Sequence, residues 1–317
     1  MNCDNMDVVL NMDFLNNNLP DKCANLIIAD PPYYKVKGEF DFIWKTFDDY
    51  LADVEKWAIE CKRLLADNGT LFWYGDAKNI AYAQIIFDKH FNLLNSLVWE
   101  NTNDHKQQIR FNEDLRTFAP LTERILMYSN EQYNLTKCVY HIRDYIRDEI
   151  IKAKGKIVLK QVNEALGTAT NGGGVASACL SLDKTEPAMF TKEMYMKLQT
   201  WCNPYLRKEY EELRKEYEEL RRPFNNTLHL GDVIRLPNYE TSNYDHDTVK
   251  PEKLTRILIN TCSRKDNLVV VPFAGSGTEC AMSVKEGRKT IGFDINLKYV
   301  EMSNKRIKTF KDELTLF

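Results

Sequence analysis

The chain has 317 residues, of which 44% are hydrophobic, 11% aromatic and 28% charged. That length and composition suit one large or two modest globular domains and exclude a disordered chain. The formal net charge of −3 does not by itself favour nucleic acid as a partner, although a local basic face would be sufficient for one. No apolar run reaches the roughly 18 residues of a membrane span, and no secretory signal pattern opens the chain.

The eight cysteines are scattered, and no two of them form a Cys-x-x-Cys pair. The sequence therefore predicts neither a zinc ribbon nor a disulfide framework, and it predicts no metal site. We interpret the cysteines as reduced thiols in the core of a cytoplasmic protein.

The first part of an α/β sheet is predicted from the apolar runs between residues 24 and 129. A strand over 24–29 stops at Asp30-Pro31-Pro32-Tyr33, because two consecutive prolines cannot continue a central strand. The spacing of apolar residues then predicts, in chain order, a helix over 48–66, a strand over 70–74, a helix over 77–89 and strands over 96–99 and 123–128.

Residues 130–228 have a different pattern, which predicts a helical insert. Helices are expected over 140–151, 159–166 and 175–182 and again from 191, with a glycine-rich break at 172–174. Basic side chains cluster beside the first two helices: Arg143, Arg147, Lys152, Lys154, Lys156 and Lys160. The succession of helices and this charge favour a DNA-reading insert whose segment 173–183 enters the major groove. The alternative is a helical lid that does not touch DNA.

A short internal repeat lies near the end of the insert, where residues 207–213 recur unchanged as 214–220. Five apolar residues then alternate in steps of four and three: Leu206, Tyr210, Leu213, Tyr217 and Leu220. Two heptads are too few for an autonomous coiled coil. We expect a charged helix whose apolar seam packs within the same chain, and a strut in a homodimer is the alternative.

Residues 251–294 predict a complete βαβ unit, with a helix over 251–263, a strand over 267–273, a second helix to 286 and a strand that ends at Asp294. Between strand and helix, Gly275 and Gly277 would let a ligand approach the backbone closely. Asp294 can accept both hydroxyls of a ribose. The turn lacks the lysine of a phosphate loop and the full G-x-G-x-x-G spacing. A ligand with ribose and adenine but no phosphate fits better, which favours S-adenosylmethionine as the cofactor.

Asp30 would lie at the carboxyl end of a parallel strand, which is the usual ligand edge of an open α/β sheet. Its carboxylate and the backbone carbonyl of Pro31 can both accept hydrogen bonds from one amino group. Tyr33 offers a flat face on which a base could stack. Considered alone, the tetrapeptide could also be an ordinary Pro-Pro turn with a capping aspartate.

Three motifs, taken in their order along the chain, carry a family resemblance. Asp30-Pro31-Pro32-Tyr33, followed later by Phe273-Ala274-Gly275-Ser276-Gly277-Thr278, resembles the DNA amino-methyltransferases, in the order of their β subgroup. His246-Asp247-Thr248-Val249-Lys250-Pro251 is similar to the family's His-x-Thr-x-Lys-Pro segment, which lines the methionine end of the cofactor. The early Asn11-Met12-Asp13 also matches.

The resemblance covers about residues 1–130 and 229–317, and the intervening segment occupies the target-recognition position. Two residues depart from the family pattern, since Asp247 stands where proline is frequent and Asp294 stands where glutamate is commoner. Neither departure changes the expected chemistry.

The resemblance implies a Rossmann-like S-adenosylmethionine-dependent methyltransferase fold, a mainly parallel sheet flanked by helices. Its catalytic core would comprise residues 1–129 and 229–317 around a target-recognition insert, 130–228. It implies four catalytic residues: Asp30, Pro31, Pro32 and Tyr33. The expected cofactor site consists of Asp13, His246, Thr248, Lys250, Pro251, Phe273, Ala274, Gly275, Ser276, Gly277, Thr278 and Asp294.

The expected reaction is methyl transfer to the N6 amino group of adenine in duplex DNA. In this family aspartate in the first position of the tetrapeptide is typical of adenine, whereas serine is typical of cytosine N4. The target atom is inaccessible in a duplex, so the base must be flipped out. No Pro-Cys dipeptide is present, so the cysteine route to C5 of cytosine lacks its signature. The expected DNA contacts are Tyr34, Lys35, Lys37, Lys152, Lys154 and Lys156.

Several alternatives stay open at the level of the sequence. Within enzymes they are cytosine-N4 methylation of DNA and amino-methylation of RNA or of a protein side chain. From another class, the chain could be a DNA-binding regulator with a decayed methyltransferase core. The expected partner is double-stranded DNA in the cytoplasm, at the nucleoid, and a homodimer and a cognate restriction endonuclease are open as further partners.

Overall fold

The computed structural model describes residues 6–36, 41, 43–103, 116, 118, 120–130, 135–170, 174–183, 187–238 and 249–315. The chain divides into two compact units, Met1–Gln132 with Pro223–Phe317, and Tyr133–Arg222. The second unit lies inside the segment that the sequence pattern sets apart. Among the helices in the described ranges, none is both long and apolar enough to cross a membrane.

The first unit contains a mixed sheet. Its strands within the described residues are β1 (Val8–Asn11), β2 (Ala24–Ala29), β3 (Leu65–Gly75), β4 (Asn92–Asn101), β5 (Thr122–Ser129), β6 (Val233–Leu236), β7 (Leu268–Val271) and β8 (Lys289–Asp294). Their order across the sheet is β1-β8-β7-β2-β3-β5-β4-β6. Neighbours are parallel, except that β5 runs antiparallel to both β3 and β4. The predicted fold class, a mainly parallel sheet flanked by helices, is confirmed.

The described helices, in chain order, are α1 (Phe47–Leu64), α2 (Ile80–Phe87), α3 (Leu135–Lys154), α4 (Leu159–Leu166), α5 (Gly174–Leu180), α6 (Lys192–Trp201), α7 (Tyr210–Leu220), α8 (Glu252–Cys262), α9 (Thr278–Lys285) and α10 (Leu297–Thr315). Helix α1 shows how the sequence defines an end. The Thr46 hydroxyl accepts from the Asp49 N–H and the Asp49 carboxylate accepts from the Thr46 N–H, which is a capping box.

The central parallel strands β2 and β7 are buried on both faces of the sheet, as is general for parallel sheets. In β2, Ile27 packs in the core layer that contains Trp57 of α1, whereas Leu26 and Ile28 pack in the layer that contains Leu258 of α8. Successive strand residues point to opposite faces, so the continuous apolar run of β2 supplies both layers. Three layers result, helices over sheet over helices.

Two details of the sheet differ from the sequence prediction. Strand β3 starts at Leu65, ahead of the expected 70–74. The residues between the predicted helix and strand belong to β3, where the pairing with β2 contains a register shift. Strands β1 and β6 were not predicted. Each has only four residues and partly exposed side chains, so neither shows the long apolar run that marks the central strands.

The second unit packs α3 to α7 around its own core, which includes Ile146, Leu166 and Leu198. The heptad seam differs from the expectation at its start. Leu206 has a φ of 58°, which is not helical, and α7 begins only at Tyr210. Leu206 and Leu213 are buried in the core of this unit, so this part of the seam packs within the chain, whereas Leu220 is exposed.

Candidate active site

A cavity of about 650 Å³ lies in the first unit, at the edge of the sheet where the parallel strands β2, β7 and β8 end. Side chains that follow these strand ends meet there because the carboxyl ends of parallel strands share one edge. Its wall includes eleven residues that the sequence assigns to catalysis or cofactor binding: Asp13, Asp30, Pro31, Pro32, Tyr33, Lys250, Phe273, Ala274, Gly275, Ser276 and Asp294.

The turn after β7 is held against the end of β8 by Asp294. Its Oδ2 accepts the N–H of Gly275 at 2.8 Å and its Oδ1 accepts the N–H of Asn296 at 2.8 Å. Gly275 has a φ of 48°, in the left-handed region that glycine adopts without strain. Each carboxylate oxygen has a second lone pair, so Asp294 can fix the turn and still accept from a ligand hydroxyl.

Of the predicted cofactor residues that the structure describes, three lie outside the cavity wall. Gly277 and Thr278 face α10, where a Cβ on Gly277 would lie 2.6 Å from the Ser303 side chain. The Thr278 hydroxyl accepts from the Arg306 guanidinium at 2.8 Å. Pro251 is buried at the N-terminus of α8. In the structure these three residues position the turn and the helix, and none of them lines the cavity.

Asp30 stands in a cluster of charged and phenolic groups. Its Oδ2 lies 2.9 Å from Nζ of Lys250, and the same ammonium lies 2.9 Å from Oε2 of Glu123. Its Oδ1 accepts the hydroxyl of Tyr33 at 2.6 Å. The sequence predicted an aspartate open to a target amine, whereas in the structure both oxygens already have partners.

The charges in this cluster alter two ionisations. Burial alone would lower the pKa of Lys250, but the carboxylates of Asp30 and Glu123 outweigh it and raise that pKa. Glu279, in the first turn of α9, is only 4% exposed, and burial followed by repulsion from Asp30 raises its pKa to about 7. Lys250 is therefore a permanent cation, and Glu279 exchanges its proton near neutral pH.

One side of the cavity is aromatic and apolar. The Phe14 and Phe273 ring centroids are 6.3 Å apart, and Trp57 meets Phe273 edge-on at 4.9 Å. Ile295 and Tyr299 also line the wall, and the Ile295 side chain is largely exposed. An apolar wall beside Asp294 and Asp13 suits a flat, weakly polar ring that is attached to a group bearing hydroxyls.

Tyr34 and Lys35, two of the predicted DNA contacts, do not line the cavity wall. The Tyr34 ring packs on Phe47 at 5.2 Å, and the exposed Lys35 lies over the Tyr34 ring. In the second unit, Lys152, Lys154 and Lys156 are exposed. Lys152 pairs with Glu149 at 2.6 Å, and Lys154 lies 4.8 Å from the centre of the Trp201 ring. Lys37, His246 and Thr248 lie outside the described residues.

Two members of the predicted basic cluster serve the fold of the second unit. The buried Arg143 bonds to the carboxylate of Asp144 and to the carbonyl of Ser181, and Arg147 bonds to the carbonyl of Leu180. Both guanidinium groups therefore cap the C-terminal end of α5. The cluster that could meet a phosphate backbone is smaller than the sequence suggested.

Sequence reasoning missed two carboxylates of the site. Glu123 is the second residue of β5. The start of this strand lies at the carboxyl edge of the sheet only because β5 runs antiparallel to its neighbours. Glu279 follows the glycine turn as the second residue of α9. The sequence contained one signal for Glu279, an acidic residue within an otherwise small and apolar stretch. A carboxylate that is buried in such a stretch is almost always paired with another group.

The chain matches the N6_N4_Mtase family, described as DNA methylase, over residues 24–305. It belongs to that family. Among curated proteins of this kind, it is 24% identical to DNA adenine methyltransferase YhdJ of Escherichia coli K12, over 91% of this chain and 78% of that protein. It is 22% identical to type II methyltransferase M2.DpnII of Streptococcus pneumoniae, over 93% and 86% of the two chains.

Solved structures of DNA methylases share the fold. TTHA0409 of Thermus thermophilus superposes with a TM-score of 0.51 at 16% identity, over 94% of this chain and 92% of that one. The cytosine-N4-specific PvuII DNA methyltransferase superposes with a TM-score of 0.53 at 14% identity, over 96% and 92%. The fold alone therefore does not select between the two target bases.

Proposed function

We propose that this DNA methylase transfers a methyl group from S-adenosylmethionine to the N6 amino group of adenine at specific sites in duplex DNA. The observation that carries the proposal is the placement of Asp30 on the wall of the same cavity as the Gly275 turn and Asp294. An acceptor for an amino group and a candidate cofactor site therefore face one space. The name of the relative YhdJ, an adenine methyltransferase, supports adenine as the base.

The residues on the wall fit S-adenosylmethionine. Phe14, Phe273 and Ile295 offer an apolar wall for its adenine, and the carboxylate of Asp294 can accept ribose hydroxyls beside the unsubstituted backbone of Gly275. Asp13 and the other carboxylates give the cavity a negative character that suits a cationic ligand. When bound, the cofactor supplies a methyl group on a positively charged sulfur.

The residues of the chain act on the target amine. An exocyclic amine is a poor nucleophile because its lone pair is delocalised into the ring. Asp30 and the carbonyl of Pro31 accept hydrogen bonds from the two N–H groups of this amine. They thereby draw its nitrogen towards tetrahedral geometry and localise the lone pair. Preorganised acceptors of this kind need no reorganisation during the reaction, and positioning supplies much of the rate. The ring of Tyr33 provides a stacking face for the flipped base.

DNA would be held by basic side chains in both units. Lys35 is exposed close to the cavity residue Tyr33, and Lys154 and Lys156 are exposed on the second unit. We propose that these residues contact phosphates, with the second unit reading the target sequence. The chain would act in the cytoplasm on nucleoid DNA. The type II name of M2.DpnII supports a restriction–modification role beside an endonuclease that cuts the unmethylated site.

Single-molecule sequencing of DNA tests the proposal directly. The chain is expressed in a host that lacks DNA methylation, and the modified bases are read together with their sequence context. The proposal expects N6-methyladenine in one short motif. Methylation of cytosine N4 would overturn the choice of base, and unmodified DNA with methylated RNA or protein would overturn the substrate.

A further inference from the structure

The buried ammonium of Lys250 joins two carboxylates that come from different strands. Asp30 follows β2 and Glu123 is the second residue of β5, and each has an oxygen 2.9 Å from Nζ of Lys250. The Lys250 side chain is only 4% exposed, compared with 19% for Asp30 and 32% for Glu123. The cation therefore lies on the protein side of the pair, and the carboxylates lie between it and solvent.

Among the described residues, the titratable and charged groups around this ammonium come from several elements. They are Asp30 and Tyr33 after β2, Tyr74 at the end of β3, Glu123 of β5 and Glu279 of α9. In the part of the chain that the structure describes, this cluster contains three carboxyl groups and one cation. The Tyr74 hydroxyl is buried and has no hydrogen-bond partner among the described residues, so it adds no competing donor to Asp30.

Stability does not account for this arrangement. Removing two or three charges from water costs several kcal/mol per ion, and buried ion pairs are commonly no more stable than well-packed apolar residues. A buried cation between two carboxylates at the wall of a ligand cavity fits another purpose. It fixes the rotation of one carboxylate.

The geometry assigns the two oxygens of Asp30 to different tasks. Oδ2 is held by Lys250, whereas Oδ1 accepts the hydroxyl of Tyr33, a residue that lines the cavity. A target amine that displaces the Tyr33 hydroxyl would find Oδ1 already oriented. The arrangement thus leaves one acceptor available without letting the carboxylate turn.

We propose that Lys250 positions the carboxylate of Asp30. Glu123 weakens the interaction between Lys250 and Asp30, because it binds the same ammonium group. The proposal rests on the proposed function, in which Asp30 accepts the target amine. Lys250 acts through Asp30 and does not itself need to touch DNA. The family resemblance assigns this lysine to the cofactor end of the site, so the proposal gives it a different task.

Two substitutions should move the pH dependence in opposite directions. Lys250→Met removes a positive charge beside Asp30, so the acidic loss of activity should begin at a higher pH, by about one pH unit or more. Glu123→Gln removes a negative charge and leaves Lys250 to Asp30 alone, so the same loss should begin at a lower pH. A change that only loosens the fold would not produce opposite shifts.

The experiment measures kcat against pH for the full chain and for Lys250→Met, Lys250→Arg and Glu123→Gln, with S-adenosylmethionine binding followed by calorimetry. We expect Lys250→Met to lower kcat by about 10²-fold with little change in cofactor affinity, because the acceptor is misplaced. Lys250→Arg should recover part of that loss. If Lys250→Met does not fold, the test rests on Glu123→Gln, in which the acidic loss of activity should begin at a lower pH.

The proposal would be overturned if the folded variants lost activity at the same acidic pH as the native chain. It would also be overturned if Lys250→Met changed only the affinity for the cofactor. Asp30→Ala, measured beside them, separates this inference from the proposed function. If Asp30→Ala is inactive while the other variants show no shift, only the positioning role fails. If Asp30→Ala is fully active, the proposed function fails with it.

Discussion

A Cβ atom on Gly277 would lie 2.6 Å from both Cβ and Oγ of Ser303 on α10. Gly277 also has a φ of 75°, in the left-handed region that L side chains rarely adopt. The second glycine of the turn is therefore required by packing and backbone conformation. The sequence alone suggests that bulk here would obstruct the ligand, and the structure assigns the requirement to helix packing.

Gly277→Ala should lower the free energy of unfolding by about 2–4 kcal/mol, from backbone strain together with the clash against Ser303. Denaturant unfolding measures this loss. The matched control is Gly231→Ala, since nothing lies within 4 Å of a Cβ at Gly231. Equal stability of the two variants would contradict the packing account.

Tyr33→Phe should leave methylation intact or raise it several-fold. The substitution removes the hydroxyl that occupies Oδ1 of Asp30 at 2.6 Å and keeps the ring that stacks on the base. Tyr33→Ala should lower kcat/KM for DNA by about tenfold or more, because base–aromatic stacking contributes about 1–3 kcal/mol. A Tyr33→Phe defect as large as that of Tyr33→Ala would show that the hydroxyl itself is needed.

Glu279→Gln should change how stability depends on pH. Burial raises the pKa of Glu279 from 4.5 to about 7, so between these values the folded chain holds a proton that the unfolded chain releases. The stability that this proton contributes is present below pH 4.5 and is lost as pH rises through 7. The slope reaches at most about 1.4 kcal/mol per pH unit.

The measurement compares the free energies of unfolding of the native chain and of Glu279→Gln at about pH 5 and about pH 7.5. These two values enclose most of the pH range over which the stabilising effect of the proton is lost. Because glutamine has no proton to lose, the variant should gain stability relative to the native chain at the higher pH. A difference that does not change between the two pH values would mean that Glu279 is ionised throughout.

Replacing Lys152, Lys154 and Lys156 together by alanine should flatten the salt dependence of DNA affinity. Each lost phosphate contact lowers the log–log slope by about one unit. Lys152 is already paired with Glu149, so most of the change should come from the other two lysines. Lys192→Ala is the control, since that exposed lysine pairs with Glu211. An unaltered slope would favour the lid interpretation.

Residues at the ends of local elements were predictable from the sequence. Asp30 follows the apolar run of β2, which two prolines end, and Gly275 follows shortly after the apolar run of β7. The position of each residue after its strand therefore depends only on neighbouring residues. The parallel direction of β2 and β7 then brings them to one edge. Local signals were therefore sufficient to predict the cavity in outline.

Contacts that depend on strand direction or on distant segments were not predictable. Glu123 reaches the site because β5 runs antiparallel, and no local pattern reports that direction. Lys250 was predicted as a cofactor residue, but its pairing with Asp30 joins segments far apart in the chain. Gly277 was placed correctly in a turn, but the neighbour that limits it belongs to α10.

The most direct test of the account is the rate of methyl transfer from labelled S-adenosylmethionine to unmethylated DNA by Asp30→Ala and Asp30→Asn. Losing a preorganised catalytic acceptor typically costs about 10²–10³ in rate. We expect a loss of that size for Asp30→Ala, with cofactor and DNA affinities largely retained, and a larger residual rate for Asp30→Asn only if geometry outweighs charge. Methylation by Asp30→Ala at close to the native rate would contradict the account.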